Sequence, residues 1–430
     1  EVKDAAHVNN VFEAIQELIR KELVLAGHDV SAGGLITALL EMCFPSEKIG
    51  ADIDLSGFEV KDLVNFMFAE NPAVVIQVEQ MDEVSPVLEK YGVKYQVIGQ
   101  TNSSMKLVVN GFDTEIDVDE YRDYWYKTSF LFDRNQAGEE LALKRYENYK
   151  EQPLKFEFPK GFNGRYAHYK IDPARVERSG AKAAIIREKG VNGDREMAFM
   201  MHLAGFDVKD IHMTDLINGR EDLSDVNMIV FVGGFSNSDV LGSGKGWAGA
   251  FLYNEKAKKA LDAFYARGDT LSLGVCNGCQ VMTELGLITP GNDRKPKMKL
   301  NSSGKFESAF LNVDVQENNS VMLSTLAGSR LGIWVAHGEG RFELPGNETD
   351  YHIPLKFSYE GYPGNPNGSP YATAAICSGD GRHLAMMPHL ERSFYPWQWA
   401  HYPEKRKNDE VTPWIEAFVN ARKWVGMKTV

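Results

Sequence analysis

Residues 271–280, Leu-Ser-Leu-Gly-Val-Cys-Asn-Gly-Cys-Gln, constrain the fold more than any other stretch of the chain. A short apolar run stops at Cys276, which lies between Gly274 and Gly278, and a helical pattern follows over 277–285. That reads as strand, sharp turn, helix, with one sulfur held at the turn. Small neighbours permit a strained backbone that presents a single side chain at the top of a sheet, as in the nucleophile elbow of hydrolases. A thiol at a helix N-terminus also feels the helix dipole, which favours the thiolate. Cys276-x-x-Cys279 alone would suit zinc or a redox dithiol. No second C-x-x-C exists, and Cys43 and Cys377 are isolated, so neither a metal site nor a disulfide framework is expected. A reducing, cytoplasmic setting follows.

The elbow strand sits in a region of alternating strand and helix patterns. Residues 183–187, 208–212 and 228–232 read as strands; 195–203 and 248–266 read as helices. This alternation implies a doubly wound, mostly parallel sheet of flavodoxin-like type. Shorter strands over 309–315, 332–336, 372–377 and 384–387 should extend it, and residues 412–425 close the chain as a helix. Upstream, strand runs at 51–54, 73–78, 95–100 and 105–109 alternate with helices at 8–25, 59–68 and 81–90, an α+β lobe. The expected division is 1–118 for that lobe, 119–180 for a helical and irregular connector, and 181–430 for the sheet domain, with the sharpest change of pattern near residue 175. A chain of 430 residues exceeds one ordinary core. The helical pattern begins almost at Glu1, so the chain reads as the C-terminal piece of something longer. A net charge of -13 argues against a general nucleic-acid binder, and no apolar run reaches membrane length.

An elbow cysteine needs a base and an oxyanion site before it implies catalysis. Pro388-His389-Leu390-Glu391 follows an apolar strand pattern, and the x between His and Glu lets both side chains point one way in extended chain. The carboxylate would then fix the imidazole tautomer and leave the other nitrogen for the thiol. Gly233-Gly234-Phe235-Ser236 follows another strand, and its freed backbone N–H groups, with that of Asn277, can form an oxyanion hole. Gln280 lies one helical turn past Cys276 and can meet the polar end of a substrate. His337-Gly338-Glu339-Gly340-Arg341 carries too many charge-capable groups for a mere turn and reads as pocket wall. In the upstream lobe, Ser31, Gly33 and Gly34 open a helix where backbone N–H groups can cradle phosphate; a tight packing turn is the plainer reading.

Gly274-x-Cys276-x-Gly278-x-Gln280 with Pro388-His389-x-Glu391 resembles the class I, triad-type glutamine amidotransferase pattern. Arg187-Glu188-Lys189-Gly190-Val191-Asn192, Gly233 to Ser236, Asp239-Val240-Leu241-Gly242, Gly246-Trp247-Ala248, His337 to Arg341 and Asn365-Pro366-Asn367-Gly368-Ser369 are similar to the glutaminase domain of the large, single-chain phosphoribosylformylglycinamidine synthase family. Upstream, His28-Asp29-x-Ser31-x-Gly33-Gly34-Leu35 and residues 73–78 resemble the last, AIR synthase-like lobe of that family's synthetase part.

The resemblance implies a Cys276–His389–Glu391 triad that hydrolyses glutamine through a thioester, with Gly234 or Phe235 and Asn277 as oxyanion donors. Gln280, Gly233, His337, Glu339 and Arg341 would hold glutamine. Ammonia would pass to upstream synthetase lobes of the same polypeptide, where ATP with Mg2+ converts formylglycinamide ribonucleotide to the amidine in purine biosynthesis. No metal is expected on this piece, and most of the ATP site would lie upstream. Leu390 stands where the family usually has proline, and Asn237-Ser238 replaces a common Tyr-Gly; neither removes a reacting group. A free-standing cysteine hydrolase would leave residues 1–120 without a role, and a non-catalytic binding module would not need an intact Cys, His and Glu.

Overall fold

The computed structural model describes residues 4–428 apart from 47, 61, 111–114 and 291–293. The chain divides into two compact units, Glu1–Leu131 and Phe132–Val430.

In the first unit Ala26–Val30 pairs antiparallel with Ala73–Gln77, and a second sheet runs Gly99–Asn102, Gly50–Ile53, Lys106–Val109, Glu115–Asp117. Helix Gly34–Cys43 buries Ile36, Leu39, Leu40 and Cys43 against Ile53 and Leu107 of that sheet. Helix Ala5–Arg20 is capped by the Asp4 carboxylate, which accepts from the N–H groups of Ala6 and His7. Its Ala14 and Leu18, one turn apart, pack on Val84, Val87 and Leu88 of helix Met81–Lys90. The strand expected over 95–100 forms later, at Gly99–Asn102.

The helical run expected over 119–150 is two helices, Val118–Ala137 and Glu139–Asn148, broken at Gly138 with φ 80°. The division into compact units falls within the first of them, after Leu131. The stretch from 152 to 173 belongs to the second unit and packs on the rest of it: Lys155 N–H donates to Asn312 Oδ1, Phe156 and Phe158 stack edge-on against Trp399, and Tyr169 OH bonds Glu416. Aromatic contacts of this kind hold a largely irregular segment, which the Glu157–Arg330 bridge and the short helix Tyr166–Tyr169 also tie down.

Among the described residues the second unit holds a nine-stranded sheet. Its order is Arg330–His337, Glu307–Val315, His352–Phe357, Thr373–Cys377, His383–Met386, Leu271–Val275, Met228–Phe231, Lys182–Arg187, Asp207–His212. The last five are mutually parallel, and taken in chain order they lie 2-1-3-4-5, the flavodoxin-like arrangement. The first four are antiparallel, so the sheet is mixed. Strand His352–Phe357 has no counterpart among the expected strands. Pro354 interrupts its apolar pattern, and the pairing accommodates it by a register shift between His352 and Leu355. The helix expected over 248–266 is also two, Lys245–Leu252 and Glu255–Ala266, because the Asn254 side chain accepts from Ala257 N–H and starts the second. Ala257, Ala260, Leu261 and Phe264 form its buried stripe.

The elbow strand Leu271–Val275 is buried throughout, flanked by parallel partners on both sides. Its one hydroxyl is paid for locally: Ser272 Oγ meets Tyr265 OH at 2.8 Å and His383 Nδ1 at 2.9 Å.

Candidate active site

Cys276 links strand Leu271–Val275 to helix Asn277–Glu284 with φ 51° and ψ −107°. An L-residue rarely adopts that conformation, and it costs on the order of 1–3 kcal/mol. Close packing imposes it. A Cβ on Gly278 would lie 1.9 Å from Phe231 O, and one on Gly274 would lie 2.6 Å from both Gly278 O and Met282 Sδ. The glycines around the cysteine therefore let the helix start against the neighbouring strand. Helix residues Asn277 to Thr283 are all buried, so each polar side chain must find a partner. Thr283 Oγ1 donates to Cys279 O, Asn277 Nδ2 to Gln280 Oε1, and Gln280 Nε2 to Glu339 O, all within 2.9 Å.

The backbone places the second and third groups. Strand His383–Met386 runs parallel beside the elbow strand, and Cys276 N–H donates to Met386 O at 2.9 Å. Three residues past that strand, His389 N–H donates to Trp334 O at 2.8 Å, which seats the imidazole. Its Nδ1–H donates to Glu391 Oε1 at 2.6 Å, with the two side chains 3% and 1% exposed. Burial pulls His389 down, but the Glu391 carboxylate and the Cys276 sulfur outweigh it and hold the imidazole above its ordinary value. Nε2 makes no hydrogen bond to another described residue. A Cβ on Gly233 would meet His389 Cε1 at 2.8 Å and Cys276 Cβ at 3.4 Å, so that glycine backs the point where imidazole and thiol converge.

A cleft opens over this point, with Cys276, His389, Gln280, His337, Gly234 and Phe235 in its wall. The Cys276 thiol donates to Ala336 O at 3.5 Å across it. Of the expected oxyanion donors, Phe235 N–H is spent on Gly190 O at 2.9 Å. The Val191–Gly234 bridge that aligns the turn consumes it, so it is not a donor to the cleft. No described group ties up Gly234 N–H or Asn277 N–H. Asn277 Oδ1 accepts from Ser236 N–H at 3.3 Å, which ties the glycine turn to the elbow helix. Gln280 reaches the wall with its amide already engaged at both ends. Glu339 stands behind the wall, where Oε1 accepts from Ser243 N–H at 3.2 Å. Arg341 does not line the cleft.

Other wall residues were given no role in sequence: Asn192, Asp239 and Arg392 lie in stretches that carry the family resemblance, whereas nothing in the sequence pointed to Ser243 or Phe306. Asp239 follows Asn237 and Ser238 in a run of three left-handed residues, φ 52°, 56° and 52°. Burial pushes its carboxyl above the ordinary range despite a bond from Ser243, and the Glu339 charge adds to the effect. Arg392 Nη2 donates to Asn192 Oδ1 at 2.6 Å. In the first unit Ser31, Gly33 and Gly34 form a tight turn. Gly33 N–H donates to Glu70 Oε1 at 3.0 Å and Gly34 N–H to Ser31 O at 3.1 Å. A Cβ on Gly34 would clash with Met67 O at 2.6 Å.

A flavodoxin-order sheet with a cysteine elbow at its centre and a buried His–Glu pair on the adjacent strand end has the architecture of the class I glutaminases. The chain belongs to the CobB/CobQ-like glutamine amidotransferase domain family, whose model matches residues 180–425. Residues 1–111 match the C-terminal domain of AIR synthase related proteins. Over 99% of its length the chain is 38% identical to a probable phosphoribosylformylglycinamidine synthase, chloroplastic/mitochondrial, of Arabidopsis thaliana, and covers 32% of it. Over 96% of its length it is 38% identical to the phosphoribosylformylglycinamidine synthase of Homo sapiens, covering 33%. It thus spans about a third of the length of these curated relatives. A structure of PurLQS from Thermotoga maritima aligns over 57% of this chain and 99% of its own at a TM-score of 0.45 and 24% identity. Among the described residues no helix is long and apolar enough to cross a membrane.

Proposed function

We propose that this chain is the glutaminase-bearing C-terminal portion of a phosphoribosylformylglycinamidine synthase. The observation that carries the reading is the buried His389–Glu391 pair, 2.6 Å apart, converging with the strained Cys276 on Gly233. As thiolate, Cys276 attacks the side-chain amide carbon of glutamine, and the oxyanion takes hydrogen bonds from Gly234 N–H and Asn277 N–H. His389, charged and oriented by Glu391, delivers its Nε2 proton to the departing nitrogen as the C–N bond breaks, leaving a thioester and ammonia. Water, deprotonated by His389, then releases glutamate. The half-buried Asp239 carboxylate and the Arg392 guanidinium in the wall suit the ammonium and carboxylate ends of an amino-acid substrate. His337 and Gln280 shape the wall between them.

Ammonia then serves the upstream synthetase lobes of the same polypeptide, in a cytoplasmic enzyme. There ATP, with Mg2+, activates formylglycinamide ribonucleotide. Residues 1–118 form the last of those lobes, 119–180 the connector and 181–430 the glutaminase. The 31–34 turn does not fit the phosphates of a nucleotide, because Glu70 already holds the Gly33 N–H. Among the described residues no group of three or more His, Cys, Asp and Glu is placed to hold a metal ion. No step on this chain is routed through either.

The test is labelling with an electrophilic glutamine analogue, mapped by mass spectrometry. Modification of Cys276 supports the reading; none, even in the full-length polypeptide, sinks it. Cys276→Ala in that polypeptide should abolish glutamine-dependent synthesis and spare ammonia-dependent synthesis.

A further inference from the structure

His337 is a second buried imidazole in the same cleft, 2% exposed, and the proposed mechanism gives it no proton to move. A second base beside Cys276 would compete with His389 for the thiol proton. Which nitrogen of His337 carries hydrogen is therefore decisive, and the surrounding hydrogen bonds determine it.

The reasoning starts at Asn367, which is fully buried. Its Oδ1 accepts from Ser369 N–H at 3.0 Å and from Ser369 Oγ at 2.7 Å. A backbone N–H can only donate, so the atom facing it is the amide oxygen, and the amide nitrogen lies on the other side. That nitrogen, Nδ2, sits 3.1 Å from His337 Nε2. An amide nitrogen also only donates, so Nε2 must accept, and the proton of a neutral imidazole then resides on Nδ1. Turned by 180°, the ring would set Cε1 against the Asn367 amide nitrogen and leave that buried donor without an acceptor. A Cβ on Gly340 would lie 2.0 Å from Cδ2 and 2.3 Å from Nε2, so this edge of the ring fills the space that glycine leaves. The opposite edge carries Nδ1, which is buried and has no partner among the described residues. Burial and the neighbouring charged His389 hold His337 far below its ordinary pKa, at about 3, so it does not gain the second proton.

The support for Asn367 reaches further. Ser369 Oγ accepts from Phe342 N–H at 3.0 Å, and Asn301 bridges His337 O to Gly340 N–H at 2.7 and 2.9 Å. Strand Arg330–His337, the turn after it and the 365–369 loop are thus joined around one imidazole.

We propose that Asn367 is a positioning residue that locks His337 as the Nδ1–H tautomer, so that the cleft offers bound glutamine a neutral donor at this wall. His389 is then the one imidazole in the cleft that can exchange a proton with Cys276. This rests on the glutaminase reading above. No bond is made or broken at His337; it donates a hydrogen bond and keeps its proton.

The experiment combines tautomer and rate. In the intact chain labelled with 15N at histidine, long-range 1H–15N spectra should show His337 with Nδ1 protonated and Nε2 bare, unchanged between pH 8 and 5. Its signals are assigned by their loss in His337→Gln. In Asn367→Asp a carboxylate faces Nε2, so the pattern should switch to a protonated Nε2. Labelling of Cys276 by the electrophilic glutamine analogue should slow by about tenfold or more, since a wrong tautomer beside a nucleophile is costly. A merely structural role for Asn367 would lower stability without switching the tautomer. A protonated Nε2 in the parent chain overturns the proposal, and this measurement needs no variant to fold. So does a switched tautomer in Asn367→Asp with undiminished labelling. Absence of labelling in the parent instead sinks the glutaminase reading itself.

Discussion

Glu391→Gln isolates what the carboxylate does for His389. The shape is kept, the charge is removed, and the 2.6 Å contact becomes neutral. Both side chains are almost wholly enclosed, so solvent cannot replace the lost partner. Breaking a buried charge pair by removing one member costs about 3–5 kcal/mol. The loss should be smaller here, about 2 kcal/mol, because the imidazole can give up its proton where the Glu391 charge no longer holds it. In the parent, Glu391 and the Cys276 sulfur raise His389 against the pull of burial. A group whose folded pKa is raised contributes stability that is complete below the unfolded value, 6.5, and fades as pH rises through the folded pKa. The difference between parent and variant in urea unfolding should therefore be largest near pH 6 and shrink toward alkaline pH. Analogue labelling of Cys276 should fall on the order of 10³–10⁴-fold, as when the carboxylate of a serine-protease triad becomes an amide. Equal labelling rates, or a stability gap that grows with pH, would refute the assignment of Glu391 as the group that charges and orients His389.

Cys276→Gly relieves the left-handed strain while removing the sulfur. The variant should unfold about 1 kcal/mol later than the parent and take up no label; a less stable variant would show that the elbow stores no strain. Gly233→Ala places a Cβ 2.8 Å from His389 Cε1 and 3.4 Å from Cys276 Cβ. The imidazole must shift, so labelling should drop at least about tenfold, with circular dichroism unchanged. Retained labelling would mean that thiol and imidazole do not depend on that close approach.

Local stereochemistry made the elbow legible. A cysteine between glycines at the junction of an apolar run and a helical period leaves few backbones open, and the structure supplies the reason in the contacts of Gly274 and Gly278 with their neighbours. The parallel strands were legible because strands covered on both faces need no polar alternation, as in residues 228–231 and 271–275. Where a single residue outweighed a pattern, the reading slipped. Asn254 starts a helix inside an apparently continuous one, Gly138 splits another, and Pro354 hides a strand that the sheet accepts through a register shift.

The sequence by itself determined the strained cysteine, the His-x-Glu spacing and the alternating grammar of the sheet, because each depends on residues a few positions apart. The tertiary structure alone decided which groups face one another. Sheet order brought the end of His383–Met386 beside the elbow. It spent Phe235 N–H on Gly190 O, removing one expected oxyanion donor, and it tied the Gln280 amide to Glu339 O and Asn277 Nδ2. It also set Asn367, thirty residues away, against His337. Hydrogen-bond capacity is a property of the residue, but whether that capacity is still free is a property of the packing.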